Sequence, residues 1–176
     1  MKYYKKLILF FIFFIFHISS ASLANDKIVF IDINKVIISS NAGSLLIKDI
    51  KKLEEINSQN FKKIEDQLKE KEQKILSEKN IISTEQFDIK VKDFKSDVDD
   101  YNKTRRIAID DVRKKNIDNT NDFLKLINEL IGKYSDENLI SLVFPKTNIL
   151  IGKNELDITD DIIVIVNENI KKIKVK

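Results

Sequence analysis

The chain has 176 residues, of which 34% are charged, and its 31 basic and 28 acidic side chains give a net charge of +3. Three of the basic residues lie in the first 24 positions, so the rest is close to neutral, which argues against a protein that coats nucleic acid. With no cysteine and a single histidine, His17, disulfides, thiol catalysis and the usual zinc sites are excluded.

The first 24 residues have the pattern of a secretory leader. Three lysines precede an apolar run over residues 7–18, and the small residues Ser22 and Ala24 come after it. A dozen apolar residues are fewer than the roughly 20 that a membrane span needs. We therefore expect export and cleavage after Ala24, with an uncleaved anchor as the alternative.

The first elements of the exported part are short. Residues 27–32 (KIVFID) have the concentrated apolar character of a buried strand. Residues 34–39 predict one or two helical turns. Asn41, Ala42 and Gly43 indicate a break, and Ser44 is a suitable N-cap for the next helix.

Two long helices are predicted next, over residues 44–80 and 84–134, with a turn near 80–84. They would extend on the order of 55 and 75 Å, whereas a globule of this size is roughly 30 Å across, so they must project as an antiparallel arm. The apolar repeat that would form the seam between them comprises Leu46, Ile50, Leu53, Phe61, Ile64, Leu68, Phe87, Val91, Phe94, Val98 and Tyr101, and it resumes at Leu124.

The tail changes from helical to strand-like patterning. Residues 138–144 and 148–151 (NILI) predict two strands around the only proline, Pro145. Thr159 is a suitable N-cap for a final helix. Residues 162–166 are rich in β-branched side chains, so a strand is the alternative there.

The predicted fold class is α+β, mostly α, with the arm (44–134) projecting from a small sheet or barrel body made of residues 25–43 and 135–176. Three short strands and one helix make a poor core. Neighbouring chains would supply the missing burial, which predicts an obligate oligomer. The candidates for the body core or for the contact between chains are Val29, Ile31, Leu142, Phe144, Leu150 and Ile151.

The order and length of these elements resemble the Skp/OmpH family of periplasmic chaperones. The resemblance includes the leader, the KIVFID strand, the break at residues 41–43, the arms, the LISLVF and NILI strands and the Asp-Ile-Thr at 157–159. It implies a homotrimer in which three chains form a β-barrel body and their arms enclose a cavity. Members hold unfolded outer-membrane proteins in the periplasm without ATP.

Two features of the sequence concern the ATP independence and the lipid contacts of a protein of this family. The glycines, Gly43, Gly132 and Gly152, cannot form a phosphate-binding loop, so no nucleotide cofactor is expected. Family members often have strongly basic arm tips, but here residues 69–95 balance seven lysines with six acidic residues. We therefore expect no strong capture of lipopolysaccharide and at most a transient contact with a membrane surface.

Isoleucines outside the apolar repeat are the candidates for binding unfolded clients. They are Ile81, Ile82, Ile89, Ile107 and Ile109. The alternative is that each is an isolated apolar residue on the surface, which is common. The aromatic residues of the arm keep the helical register and are assigned to the seam instead.

The functional prediction is an ATP-independent holdase that binds unfolded outer-membrane proteins and prevents their aggregation. The alternative is a structural coiled-coil spacer or adaptor of the envelope that docks one folded partner. No converging set of catalytic side chains, metal ligands or cofactor motifs is present in the pattern, so an enzyme is not expected. Export and the neutral mature charge also disfavour a nucleic-acid partner.

Overall fold

The computed structural model describes residues 26–173 and Val175, so the predicted leader over residues 1–24 lies outside the described residues. Short 3₁₀ turns occur at Lys146–Asn148 and Asn154–Leu156. The main elements, in chain order, are β1 (Lys27–Ile31), α1 (Ile33–Ser39), α2 (Asn41–Glu78), α3 (Thr84–Glu137), β2 (Ile140–Pro145) and α4 (Thr159–Asn169).

The long helices α2 and α3 form an antiparallel hairpin. They contain 38 and 54 residues, which corresponds to lengths of about 57 and 81 Å. Residues 79–83 connect them. Ser83 begins the return helix, because its hydroxyl accepts a hydrogen bond from the backbone N–H of Gln86 at 3.3 Å. The fold is therefore mostly helical, as the sequence predicts.

The sheet has two parallel strands, β1 and β2. Ile28 pairs with Leu142 and Phe30 with Phe144. Because parallel strands require a crossover, the entire arm is inserted between them, and the two ends of the described chain meet at the same place. This arrangement positions the arm on a body made from both ends.

The core lies where α1, α4 and the proximal ends of α2 and α3 meet the sheet. Phe123 is its largest fully buried side chain, although the repeat predicted its half-buried neighbour Leu124 for this position. The fully or nearly fully buried apolar residues of this core are Val29, Ile31, Val36, Ala42, Leu46, Ile50, Val112, Phe123, Ile127, Ile158, Ile162, Val166 and Ile173.

The predicted break at residues 41–43 is wrong. These residues form the first turn of α2, and the N-cap is Ser40, whose hydroxyl accepts from the N–H of Gly43 at 3.3 Å. A single residue, Ser40, separates α1 from α2. Gly43 is required for close approach, because a Cβ there would lie 1.8 Å from the carbonyl oxygen of Ile37.

Two predictions about the tail are also wrong. Residues 148–151 form no strand; the end of a 3₁₀ turn and an irregular loop occupy them, and no pairing partner lies beside them in the described chain. Thr159 is not the N-cap of α4, because Ile158 holds that position. The hydroxyl of Thr159 instead accepts from the backbone N–H of Asp32 at 2.9 Å, which ties α4 to β1. Residues 162–166 are helical, so the strand alternative is excluded.

Candidate functional site

The seam between α2 and α3 is densest near the body and less buried over most of the arm, although Ile75 near the tip is again buried. Leu46 and Ile50 are buried, whereas Leu53, Phe61, Leu68, Phe87, Val91, Phe94, Val98 and Tyr101 are half-buried. Ile64, expected in the seam, lies at its edge with 36% of its surface exposed. Two helices cannot cover an apolar stripe on all sides, which explains why the outer arm retains accessible apolar surface.

Aromatic contact holds the middle of the arm together. The rings of Phe61 and Tyr101 meet edge to face, with centroids 6.0 Å apart and an interplanar angle of 76°. The Tyr101 hydroxyl donates a hydrogen bond to Glu65, and this bond raises the pKa of the tyrosine. Both the ring and the hydroxyl of Tyr101 therefore link α3 to α2.

Ion pairs join the two helices closer to the tip. Lys71 pairs with Asp97, and Lys90 pairs with Glu78. The hydrogen bond from Lys90 lowers the pKa of Glu78. Exposed pairs of this kind contribute little to stability, so the outer arm is held by several weak contacts instead of a dense core.

A groove of about 650 Å³ lies between α2 and α3 on the body side of the Phe61–Tyr101 contact. Asn57 occupies a seam position there, where the repeat would place an apolar side chain, and Asn116 lines the groove from α3. The residues that line it are Glu54, Asn57, Ser58, Phe61, Lys62, Glu65, Arg105, Ile109, Val112, Arg113 and Asn116.

The isoleucines predicted to bind clients are distributed along the arm and do not converge. Ile81, in the tip connection, is 80% exposed and the neighbouring Ile82 is half-buried. Ile89, Ile107 and Ile109 are exposed on α3, and Ile109 also lines the groove.

Further exposed apolar residues on the arm were not predicted. They are Leu45, Ile47, Ile56, Leu76, Ile117 and Leu126. Each of them falls outside the apolar repeat, so the same criterion that selected the five predicted isoleucines would have found them. The arm therefore presents many separate apolar contacts over its length.

The residues proposed for the body divide into two groups. Val29 and Ile31 are buried in the chain's own core. Leu142 and Phe144, on β2, are exposed, and Leu150 and Ile151 are 96% and 91% exposed in the loop that comes after it. A single chain thus leaves an apolar surface on and after its outer strand, where a patch of this kind is typical of a protein contact.

A polar network fixes this loop and α4 to the body. Burial alone would raise the pKa of Asp157, but hydrogen bonds from Lys146 and Thr159 lower it. The Lys146 ammonium donates to Asp157 at 2.7 Å and stands 5.8 Å from the centre of the Phe30 ring. On the other side of α4, Asp161 accepts from the Tyr134 hydroxyl at 2.7 Å.

Neither a metal centre nor a membrane span is found in the described part of the chain. Residues 26–173 contain no group of three or more His, Cys, Asp or Glu placed to hold an ion. No helix within that range is both long and apolar enough to cross a bilayer. The features that distinguish the molecule are therefore the arm, its groove and the apolar surface of the body.

Comparison with known proteins identifies the family. The family model described as "Outer membrane protein (OmpH-like)" matches residues 27–165. The chain belongs to the OmpH-like family. A search of curated protein sequences gave no significant match. The predicted family resemblance is therefore confirmed.

A solved structure with the same fold comes from Caulobacter crescentus CB15 and is described as a candidate outer membrane chaperone (OmpH-like). The two structures superpose with a TM-score of 0.80, over 85% of this chain and 88% of that one, at 11% sequence identity. The OmpH-like fold, with its long hairpin and small sheet, is thus retained although few residues are shared.

Proposed function

We propose that this OmpH-like protein is an ATP-independent holdase of the periplasm that binds unfolded outer-membrane proteins and prevents their aggregation. Family membership and the chaperone description of the Caulobacter protein support this proposal. The protein would act by binding and confinement, without catalysing a reaction.

The observation that most supports the proposal is the pattern of exposed isoleucines along a long arm. Ile81, Ile89 and Ile107 are separated from one another by charged, solvated residues. Each can contact an apolar segment of a client weakly, and several contacts on one chain would add to a useful avidity. Separate weak contacts suit an unfolded chain, whose apolar residues are spread along its length and have no fixed arrangement.

Assembly into a homo-oligomer, which the family resemblance implies is a trimer, would bring several arms around one client. The apolar surface that Leu142, Phe144, Leu150 and Ile151 leave exposed in a single chain supports this assembly. β2 pairs only with β1 in the described chain, so its other edge has free backbone donors and acceptors. Strand pairing between copies would cover both the edge and the apolar side chains.

The holdase proposal is tested by diluting a urea-unfolded β-barrel membrane protein into buffer and following its light scattering. Suppression of scattering at a stoichiometric amount of oligomer is expected, and addition of ATP should change nothing. Unchanged scattering would contradict the proposal. Pull-down of several unfolded barrel proteins from envelope extracts would separate a holdase from a spacer, which should retain one folded partner.

A further inference from the structure

The groove between α2 and α3 has the dimensions of a binding site for a short extended segment. Its lining on α2 runs from Glu54 to Glu65 and on α3 from Arg105 to Asn116, twelve residues on each helix. Twelve helical residues span about 17 Å, which equals about five residues of extended chain. The volume of about 650 Å³ is within the range of ligand pockets.

The residues that line the groove provide both apolar surface and polar groups. Phe61, Ile109 and Val112 supply the apolar surface, and Val112 is itself buried. Asn57 and Asn116 supply amide groups that can bond the backbone of a bound segment. A groove of this composition favours a segment that inserts an apolar side chain and keeps its peptide groups hydrogen-bonded.

The charged residues that line the groove determine which kind of client side chain it can accept. Arg105 lines the groove and takes part in no ion pair within residues 26–173. Lys62, Arg113, Glu54 and Glu65 line it as well, so the lining has charges of both signs and a charged client side chain of either sign would meet like charge. An aromatic ring has a negative face and a positive edge, and it is therefore complementary to a guanidinium and to carboxylates together.

We propose that this groove binds the aromatic side chains of extended client segments. The proposal rests on the holdase function and names the client feature that one arm recognises. Barrel strands alternate in hydrophobicity and carry girdles of aromatic residues. In an extended segment alternate side chains point the same way, so two or three residues of a strand could enter the groove together.

The test measures binding of two fluorescein-labelled nine-residue peptides to the whole protein by anisotropy. One peptide alternates tyrosine with threonine, and the other has leucine in place of each tyrosine. The Asn57→Phe variant fills the groove from within, and Asn60→Phe places the same ring on an exposed position of the same helix. Filling the groove should weaken tyrosine-peptide binding roughly tenfold or more, because a ring can no longer be buried.

A second pair of variants tests the charge argument without changing the packing. Arg105→Gln should weaken binding of the tyrosine peptide about two- to fivefold and leave the leucine peptide unaffected. Arg106→Gln removes the adjacent arginine, which does not line the groove, and should change neither.

The outcomes separate this inference from the holdase function. If the wild-type protein holds the unfolded barrel protein but binds the two peptides equally, or if Asn57→Phe binds like Asn60→Phe, the groove proposal is overturned and the holdase proposal stands. If the wild-type protein binds neither the barrel protein nor either peptide, both proposals are overturned.

Discussion

Two glycines in the long helices should respond oppositely to replacement by alanine. Gly43 lies in the first turn of α2 and Gly132 lies in α3. Helix propensity alone favours alanine at an interior position by about 1 kcal/mol, so without tertiary contacts both replacements would stabilise the protein.

The surroundings of Gly43 reverse that expectation. An added Cβ would lie 1.8 Å from the carbonyl oxygen of Ile37, 2.8 Å from its carbonyl carbon and 3.0 Å from Cε1 of Phe123. The first two atoms belong to the backbone, so the whole of α1 must shift relative to α2. Overpacking of this kind costs about 1–3 kcal/mol and occasionally more, which exceeds the gain in propensity. We expect Gly43→Ala to lower the free energy of unfolding by about 2 kcal/mol.

Gly132 provides the matched control. Nothing lies within 4 Å of a Cβ at that position, so Gly132→Ala should raise the free energy of unfolding by up to about 1 kcal/mol. Urea titrations followed by circular dichroism, at one protein concentration because assembly contributes to stability, measure both. A Gly43→Ala protein as stable as wild type would refute the close packing of α1 against α2.

Three further predictions concern the core, the body surface and the pH dependence of stability. Phe123→Ala should lower the free energy of unfolding, measured by urea titration, by about 3–5 kcal/mol. Phe87→Ala, at a half-buried site in the outer arm, should lower it by less. Equal losses for the two variants would contradict a core confined to the body. Ile151→Asp should lower the oligomer mass in sedimentation velocity, whereas Ile107→Asp on the arm should not; an unchanged mass for both would contradict the proposed contact. Burial and the hydrogen bond to Asp161 raise the pKa of Tyr134 from 10.0 to about 12. The folded state therefore retains the Tyr134 proton more strongly than the unfolded state. The contribution of the Tyr134 hydroxyl to the free energy of unfolding is complete below pH 10 and is lost as the pH rises towards 12. Tyr134→Phe should make the free energy of unfolding fall less steeply over this range, and an unchanged pH profile would refute the role given to the hydrogen bond with Asp161.

The sequence predicts the helical part of this fold well because periodicity is a local signal. The seam from Leu46 to Tyr101 and the turn near residues 80–84 can be deduced from the spacing of apolar residues. The β1 strand is recognisable from its concentrated apolar run, whereas the sequence left a strand as the alternative in the final helix and predicted the wrong N-cap for it.

The errors occur where tertiary contacts override local signals. Residues 41–43 have the composition of a break, but Gly43 is needed for the approach of α2 to Ile37. Residues 148–151 have the composition of a strand, but no partner strand lies beside them in a single chain. The groove could not be predicted, because its two walls come from residues 54–65 and 105–116, which are distant in the sequence.

The measurement that tests the holdase mechanism most directly is photocrosslinking of a bound client. A photoreactive amino acid is placed at position 81 or 107 on the arm, or at the exposed position 168 on α4, and an unfolded barrel protein is added by dilution from urea. Crosslinks from both arm positions and none from position 168 are the predicted result. Crosslinks from position 168 alone would contradict the claim that the arms hold the client.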